Sequence, residues 1–179
     1  MKDYLKEIDR EVSTTLDQID RASLADAIAM IMNGKRVFVD GEGRSGFIGK
    51  CFAMRMMHLG FTSYVIGETN TPHFKKDDVL VSISGSGKTG SLLLHTKKAK
   101  KFGVKVIAVT TDSEAPLAKQ ADKIIKVHAT TRGALGHRES VQLLGSLFDQ
   151  SVHLLLDDIC LVISHEKKIS NAEATANHF

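Results

Sequence analysis

Hydrophobic positions along this chain follow two rhythms, and the switch between them predicts the fold. From Asp3 to Ile19, residues Leu5, Ile8, Val12, Leu16 and Ile19 recur at three- and four-residue spacing, as on one face of a helix. A second helix is predicted over Leu24–Met32, with Gly34 as its stop. The period then shortens. Arg36–Asp40, Thr62–Ile66, Val79–Ile83, Val104–Val109 and Lys123–Val127 are brief apolar runs that read as strands. Helical stretches ending near Leu59 and Phe102, and a short one over Pro116–Gln120, separate most of them. Strands alternating with helices imply a parallel sheet covered on both faces. The expected class is therefore α/β: a doubly wound, flavodoxin-like sheet of five parallel strands. The stretch His128–Ser140, with Arg132, Gly133, Gly136, His137 and Arg138, is long for a plain connection and reads as a functional or disordered loop. A long helix is predicted over Val141–Ile163, followed by a polar, partly helical tail. No repeat or composition break divides the 179 residues, so a single domain is expected. Residues 1–34 would form an N-terminal helical extension and 164–179 the tail.

Composition narrows the function classes. Hydrophobic residues at 42% and charged residues at 25% suit a soluble globular domain. The formal charge of +3 is spread along the chain. Its densest cluster, Lys97, Lys98, Lys100 and Lys101, fits the solvated face of a helix, and there is no tryptophan or aromatic–basic interleaving to stack on bases. No nucleic-acid partner is expected. Cys51 and Cys160 lie far apart within apolar patterns, so they read as free buried thiols rather than a disulfide or zinc site. The charged N-terminus lacks a signal-peptide core, and no run of about 18 apolar residues offers a membrane span. The expectation is a cytoplasmic protein with no membrane partner.

Two strand-to-helix loops carry the candidate chemistry. In an open parallel sheet, ligands bind beyond the carboxyl ends of the strands. There Gly41-Glu42-Gly43-Arg44-Ser45-Gly46 follows the first strand and Ser84-Gly85-Ser86-Gly87-Lys88-Thr89 the third. Free N–H groups at a helix start attract an anion, and small residues such as Gly85 let the backbone approach it. Hydroxyls of Ser84, Ser86 and Thr89 add neutral donors, so the loop can hold a phosphate without metal. Helix capping alone would explain one or two of these residues, but not four hydroxyls, Ser82 included, interleaved with two glycines. Gly87-Lys88-Thr89 matches the end of a nucleotide P-loop, yet Ser82 stands where its first glycine belongs.

The run Ser82–Thr89 resembles the phosphate loop of SIS (sugar isomerase) domains. Within that superfamily the chain resembles the 6-phospho-3-hexuloisomerases. Gly41–Gly46, Phe52–Phe61, Gly67-Glu68-Thr69 with Thr71-Pro72, Leu144–Gln150 and the tail Ala176-Asn177-His178-Phe179 carry that likeness. It implies reversible isomerisation of D-arabino-hex-3-ulose 6-phosphate to D-fructose 6-phosphate, the step after aldol addition of formaldehyde to ribulose 5-phosphate in the ribulose monophosphate pathway. It also implies a homotetramer with no metal and no organic cofactor. By position, Ser45, Ser84, Ser86 and Thr89 would bind the substrate phosphate. Asp149 occupies the place of the family's acid/base glutamate, and His178 that of a histidine proposed to reach a neighbouring subunit's site. Lys88 stands where the family usually has glutamate.

An enediol isomerisation needs one base for the carbon protons and a second group for the oxygens. Asp149 and His178 are the first choice, with Arg44, Glu68 and His73 as further residues on the same presumed face. The remaining histidines, His58, His95, His153 and His165, read as packing or surface residues. Glu42 is expected to turn away from a bound phosphate. Met54, Met56 and Met57 read as core or subunit packing, and the Leu5-to-Ile19 seam as a subunit contact. Two other readings stay open: a sugar-phosphate sensor that binds without catalysis, and an isomerase of another phosphosugar.

Overall fold

The computed structural model describes residues 3–129 and 140–178. In chain order the elements are α1 (Leu5–Asp17), α2 (Arg21–Asn33), β1 (Val37–Gly41), α3 (Gly43–His58), β2 (Ser63–Val65) and β3 (Val79–Ile83). They continue with α4 (Gly90–Lys101), β4 (Lys105–Thr110), α5 (Pro116–Gln120), β5 (Lys123–Lys126), α6 (Ser146–Glu166) and α7 (Asn171–Ala176). The five strands pair in parallel in the order β2-β1-β3-β4-β5, the doubly wound sheet expected.

The sheet's two faces explain why its strands are nearly continuous apolar runs. Val37, Val39, Val81, Ile83, Ile107 and Val109 pack on one face with residues of α2, α3 and α6. Phe38, Leu80 and Val106 turn to the other face with Ala99 of α4. A strand buried on both faces cannot alternate apolar with polar residues. From β1 the chain moves outward to β2 through α3, and from β3 it moves the other way through α4. The switch in direction falls between β1 and β3, where a crevice opens beyond the strand ends.

At the opposite ends of these two strands sits an ion pair. Arg36 donates from Nε and Nη2 to the two oxygens of Asp78 at 2.8 and 2.6 Å. Asp78 is buried and also accepts from the Lys75 amide. Arg36 Nη2 reaches the His73 carbonyl, and the guanidinium lies over the Phe38 ring. This clamp fixes the start of β1 against the start of β3, and so the relative height of the loops at their far ends.

Several expectations are corrected. The seam of α1 packs within the chain: Val12 and Ile19 are buried, Leu16 is partly covered, and α1 lies against α6, leaving Leu5 exposed. It is not a free subunit contact. Helix α6 begins at Ser146, not Val141, because Leu144 takes a left-handed φ of 55° that breaks the helix. Cys160 is buried but Cys51 is exposed. The methionine reading, core or subunit packing, is not among those overturned: Met56 is core, and Met54 and Met57 are exposed on this chain. The long loop's residues Arg132, Gly133, Gly136, His137 and Arg138 lie outside the described residues.

Replacing Asp78 with Ala strips the counter-charge from a largely buried guanidinium. Urea unfolding should show a loss of about 3 kcal/mol.

Candidate active site

The glycine-rich turn after β1 is tighter than the sequence suggests. α3 begins at Gly43, whose φ of 57° makes the turn, so Arg44 and Ser45 occupy the helix's first turn rather than a loop. Gly46 lies so close to β1 that an added Cβ would stand 2.5 Å from the Gly41 carbonyl oxygen. Only glycine lets this helix start come down onto the strand end.

The serine-rich loop is braced from beneath. Gly85 offers its carbonyl to the Thr111 amide and to the hydroxyls of Thr110 and Thr111. Gly87 has φ 61°, and a Cβ there would stand 2.5 Å from that of Ala115. Ser84 and Thr89 hydroxyls lie 3.0 Å apart, the Ser84 Oγ accepts from the Gly87 amide, and the Ser86 Oγ accepts from the Lys88 amide. Ser82 is the exception among the hydroxyls. It is fully buried in β3, its Oγ has no partner, and it does not reach the cleft. Lys88 is exposed and outside the cleft lining as well.

A cleft of about 500 Å³ lies between these loops and the start of α6. Glu42, Arg44, Ser45, Ser84, Gly85, Ser86 and Thr89 line one side, and Leu144, Gly145, Phe148 and Asp149 the other. Ser45 donates to Asp149 Oδ1 at 2.9 Å. Arg44 Nε stands 3.5 Å from Asp149 Oδ2, and its Nη1 donates to the Ser146 hydroxyl. Burial pushes the Asp149 carboxyl above its ordinary value, while the Ser45 hydrogen bond and the Arg44 charge pull it back down. The arrangement can therefore hold a phosphate by neutral donors on one wall and offer a carboxylate of raised basicity on the other.

Asp149, Arg44, Ser45, Ser84, Gly85, Ser86 and Thr89 are thus brought together. Glu68 is not: it lies outside the cleft, paired with Lys50 at 2.6 Å. His178 stacks on His58 with ring centroids 5.0 Å apart, at the far end of α3 from Ser45. His73 is at the amino ends of the strands, beside Arg36 and Phe102, on the wrong side of the sheet. Glu42 reaches the cleft wall, but its carboxylate accepts from the Ser91 hydroxyl at 2.8 Å. One residue read as packing or surface makes a specific contact: His95 Nδ1 lies 2.9 Å from Oδ2 of the buried Asp40, just below the loops. A buried aspartate near a strand's carboxyl end was the available signal. A larger cavity of about 790 Å³ opens by the carboxyl ends of α3 and α6, but it gathers no comparable set of hydroxyls around a buried carboxylate, and the Cys160 thiol there is pushed up to about 12 by burial. Among the described residues, no three or more His, Cys, Asp or Glu side chains cluster as a metal site, and no helix is long and apolar enough to cross a membrane.

The SIS domain model matches residues 30–154, a span that holds both loops and Asp149. The chain belongs to the SIS domain family. Among SIS relatives it is 38% identical to a 3-hexulose-6-phosphate isomerase of Methanocaldococcus jannaschii, covering 84% of this chain and 79% of that one. It is 33% identical to the Bacillus subtilis 3-hexulose-6-phosphate isomerase, over 98% and 96% of the two chains. A crystal structure from Methanococcus jannaschii, described as inferring a 3-hexulose-6-phosphate isomerase function, superposes with a TM-score of 0.84 at 33% identity, over 98% and 97% of the chains. This SIS chain therefore groups with isomerases over nearly its whole length.

Arg44→Gln removes a positive charge facing Asp149. A carbon-detected NMR titration should find the Asp149 carboxyl above the ordinary aspartate range in the parent protein and higher still in the variant. An unchanged midpoint in the variant would mean that Arg44 does not act on it.

Proposed function

We propose that this protein is a phosphosugar isomerase that interconverts D-arabino-hex-3-ulose 6-phosphate and D-fructose 6-phosphate, serving formaldehyde fixation through the ribulose monophosphate pathway in the cytoplasm. The observation that carries the reading is the Asp149 carboxylate, raised in basicity and held by Ser45 and Arg44 opposite the serine-rich loop. The names and coverage of the isomerase relatives supply the substrate.

The geometry supports the following chemistry. Backbone amides and the hydroxyls of Ser84, Ser86 and Thr89, with Ser45, bind the phosphate and hold the carbon chain against Asp149. Asp149 takes the proton from C2 of the hexulose, giving a 2,3-enediol, and returns it to C3. In the same sequence O2 loses a proton and O3 gains one, so the carbonyl moves from C3 to C2. Arg44 stabilises the negative charge that develops on the oxygens. His178 shuttles the oxygen protons from a neighbouring copy, since in its own chain it lies by His58. Exposed Phe47, Met54 and Met57 of α3 and Leu154 and Leu161 of α6 offer apolar surface to the homotetramer this requires. Proton transfer is assigned to side chains alone, without metal or organic cofactor, and the whole chain acts as one domain.

Hexulose phosphate made from ribulose 5-phosphate and formaldehyde, with fructose 6-phosphate detected by a coupled dehydrogenase, tests the reading. Turnover is expected in the parent protein, with a loss of about a thousandfold in Asp149→Asn and retained sugar-phosphate binding. Tight binding without turnover in the parent would make it a sensor instead.

A further inference from the structure

The wall of the cleft opposite the serine-rich loop depends on a residue far away in sequence. Glu11, in the middle of α1, is a buried carboxylate. Its Oε2 accepts from the Ser140 hydroxyl at 2.7 Å and from Gln142 Nε2 at 3.1 Å, and its Oε1 accepts from the Val141 amide at 3.1 Å. Three donors from three consecutive residues converge on one acceptor-only group. The network continues inward. Ser140 Oγ accepts from the Gln142 amide, and Gln142 Oε1 accepts from Gln150 Nε2 at 2.7 Å. Gln150 is the neighbour of Asp149 in the first turns of α6.

Between these two anchors the chain does something costly. Leu144 holds a left-handed φ of 55°, which a branched side chain keeps only when its surroundings over-determine it. Leu144 and Gly145 both line the cleft, and the Gly145 carbonyl accepts the Asp149 amide. Val141, Leu143 and Leu144 are exposed, so apolar burial does not hold this turn in place. Among the described residues, the side-chain hydrogen bonds to Glu11 and Gln150 anchor it.

We propose that Glu11 is a positioning residue for the active site: its carboxylate fixes the Ser140–Gly145 turn, and through it the distance between the phosphate loop and Asp149. This rests on the reading of the cleft as a phosphosugar site. The packing of α1 on α6 thereby acquires a functional role that its apolar seam alone does not suggest.

The test compares the parent protein with Glu11→Ala and with Ser140→Ala, which removes the hydroxyl's two bonds, to Glu11 and from the Gln142 amide, and leaves the α1–α6 packing intact. Amide hydrogen exchange, steady-state kinetics and calorimetric binding of fructose 6-phosphate are measured on each. Glu11→Ala should lose protection at the Val141 amide. Its KM and its dissociation constant for fructose 6-phosphate should rise about tenfold, with a smaller fall in kcat, and Ser140→Ala should show the same split at about threefold. Unchanged KM and binding in both folded variants would overturn the proposal. So would a fall in rate that merely tracks the folded fraction at constant KM. The parent protein judges the isomerase reading separately. If it binds fructose 6-phosphate without turnover, that reading fails, and the change in binding between parent and variants still decides the role of Glu11.

Discussion

Everything at the candidate site depends on the parallel pairing of β1 with β3. The register sets Asp40 beside Ser82 and Gly41 beside Ile83, so the two strands end level. Their helices then leave in opposite directions, α3 to one face and α4 to the other. Two helix N-termini are thereby brought to the same crevice, each preceded by small residues that expose backbone donors. The clamp between Arg36 and Asp78 holds the other end of the same strand pair. A slip of one residue would turn the buried valines of β1 toward the wrong face and pull the two loops out of line. The register is therefore paid for by core burial on both faces.

Within the crevice the charges are divided by task. The wall proposed to hold the phosphate offers hydroxyls and amides, and the nearby lysine, Lys88, is exposed outside the cleft lining. Among the described residues lining the cleft, the positive charge is that of Arg44, which faces Asp149. A carboxylate close to a bound phosphate would suffer its negative field, which further favours the protonated form. Arg44 and Ser45 oppose that drift, pulling the Asp149 carboxyl back from the rise that burial imposes. Aspartate's shorter reach, compared with the glutamate implied by the family likeness, places more weight on how α6 is set against the loops. The bonds from Glu11 to the turn that precedes α6 are relevant for this reason.

The sheet was legible because its strands are buried on both faces and leave unbroken apolar runs. The serine-rich loop was legible because hydroxyls and glycines interleaved at a strand end have few other uses. Features decided by tertiary contacts were not. Val141, Leu143 and Leu144 continue an apolar pattern into α6, yet they form an exposed turn, because the left-handed Leu144 is held by polar anchors that periodicity cannot reveal. The α1 seam asked for a partner and found it in α6. Glu68 and His73 share the connection between β2 and β3, but His73 sits at the amino ends of the strands and Glu68 is drawn to Lys50. Glu11 was invisible, since nothing along α1 marks one glutamate among its polar residues as buried.

The most direct measurement of the central claim follows the carbon proton itself. Fructose 6-phosphate incubated with the protein in deuterium oxide is examined by proton NMR. A base at Asp149 forming a 2,3-enediol predicts loss of the C3 proton signal as solvent deuterium enters there, accompanied by hexulose phosphate, and neither event in Asp149→Asn. Deuterium at C1 instead, or exchange at C3 that survives the substitution, would contradict the account.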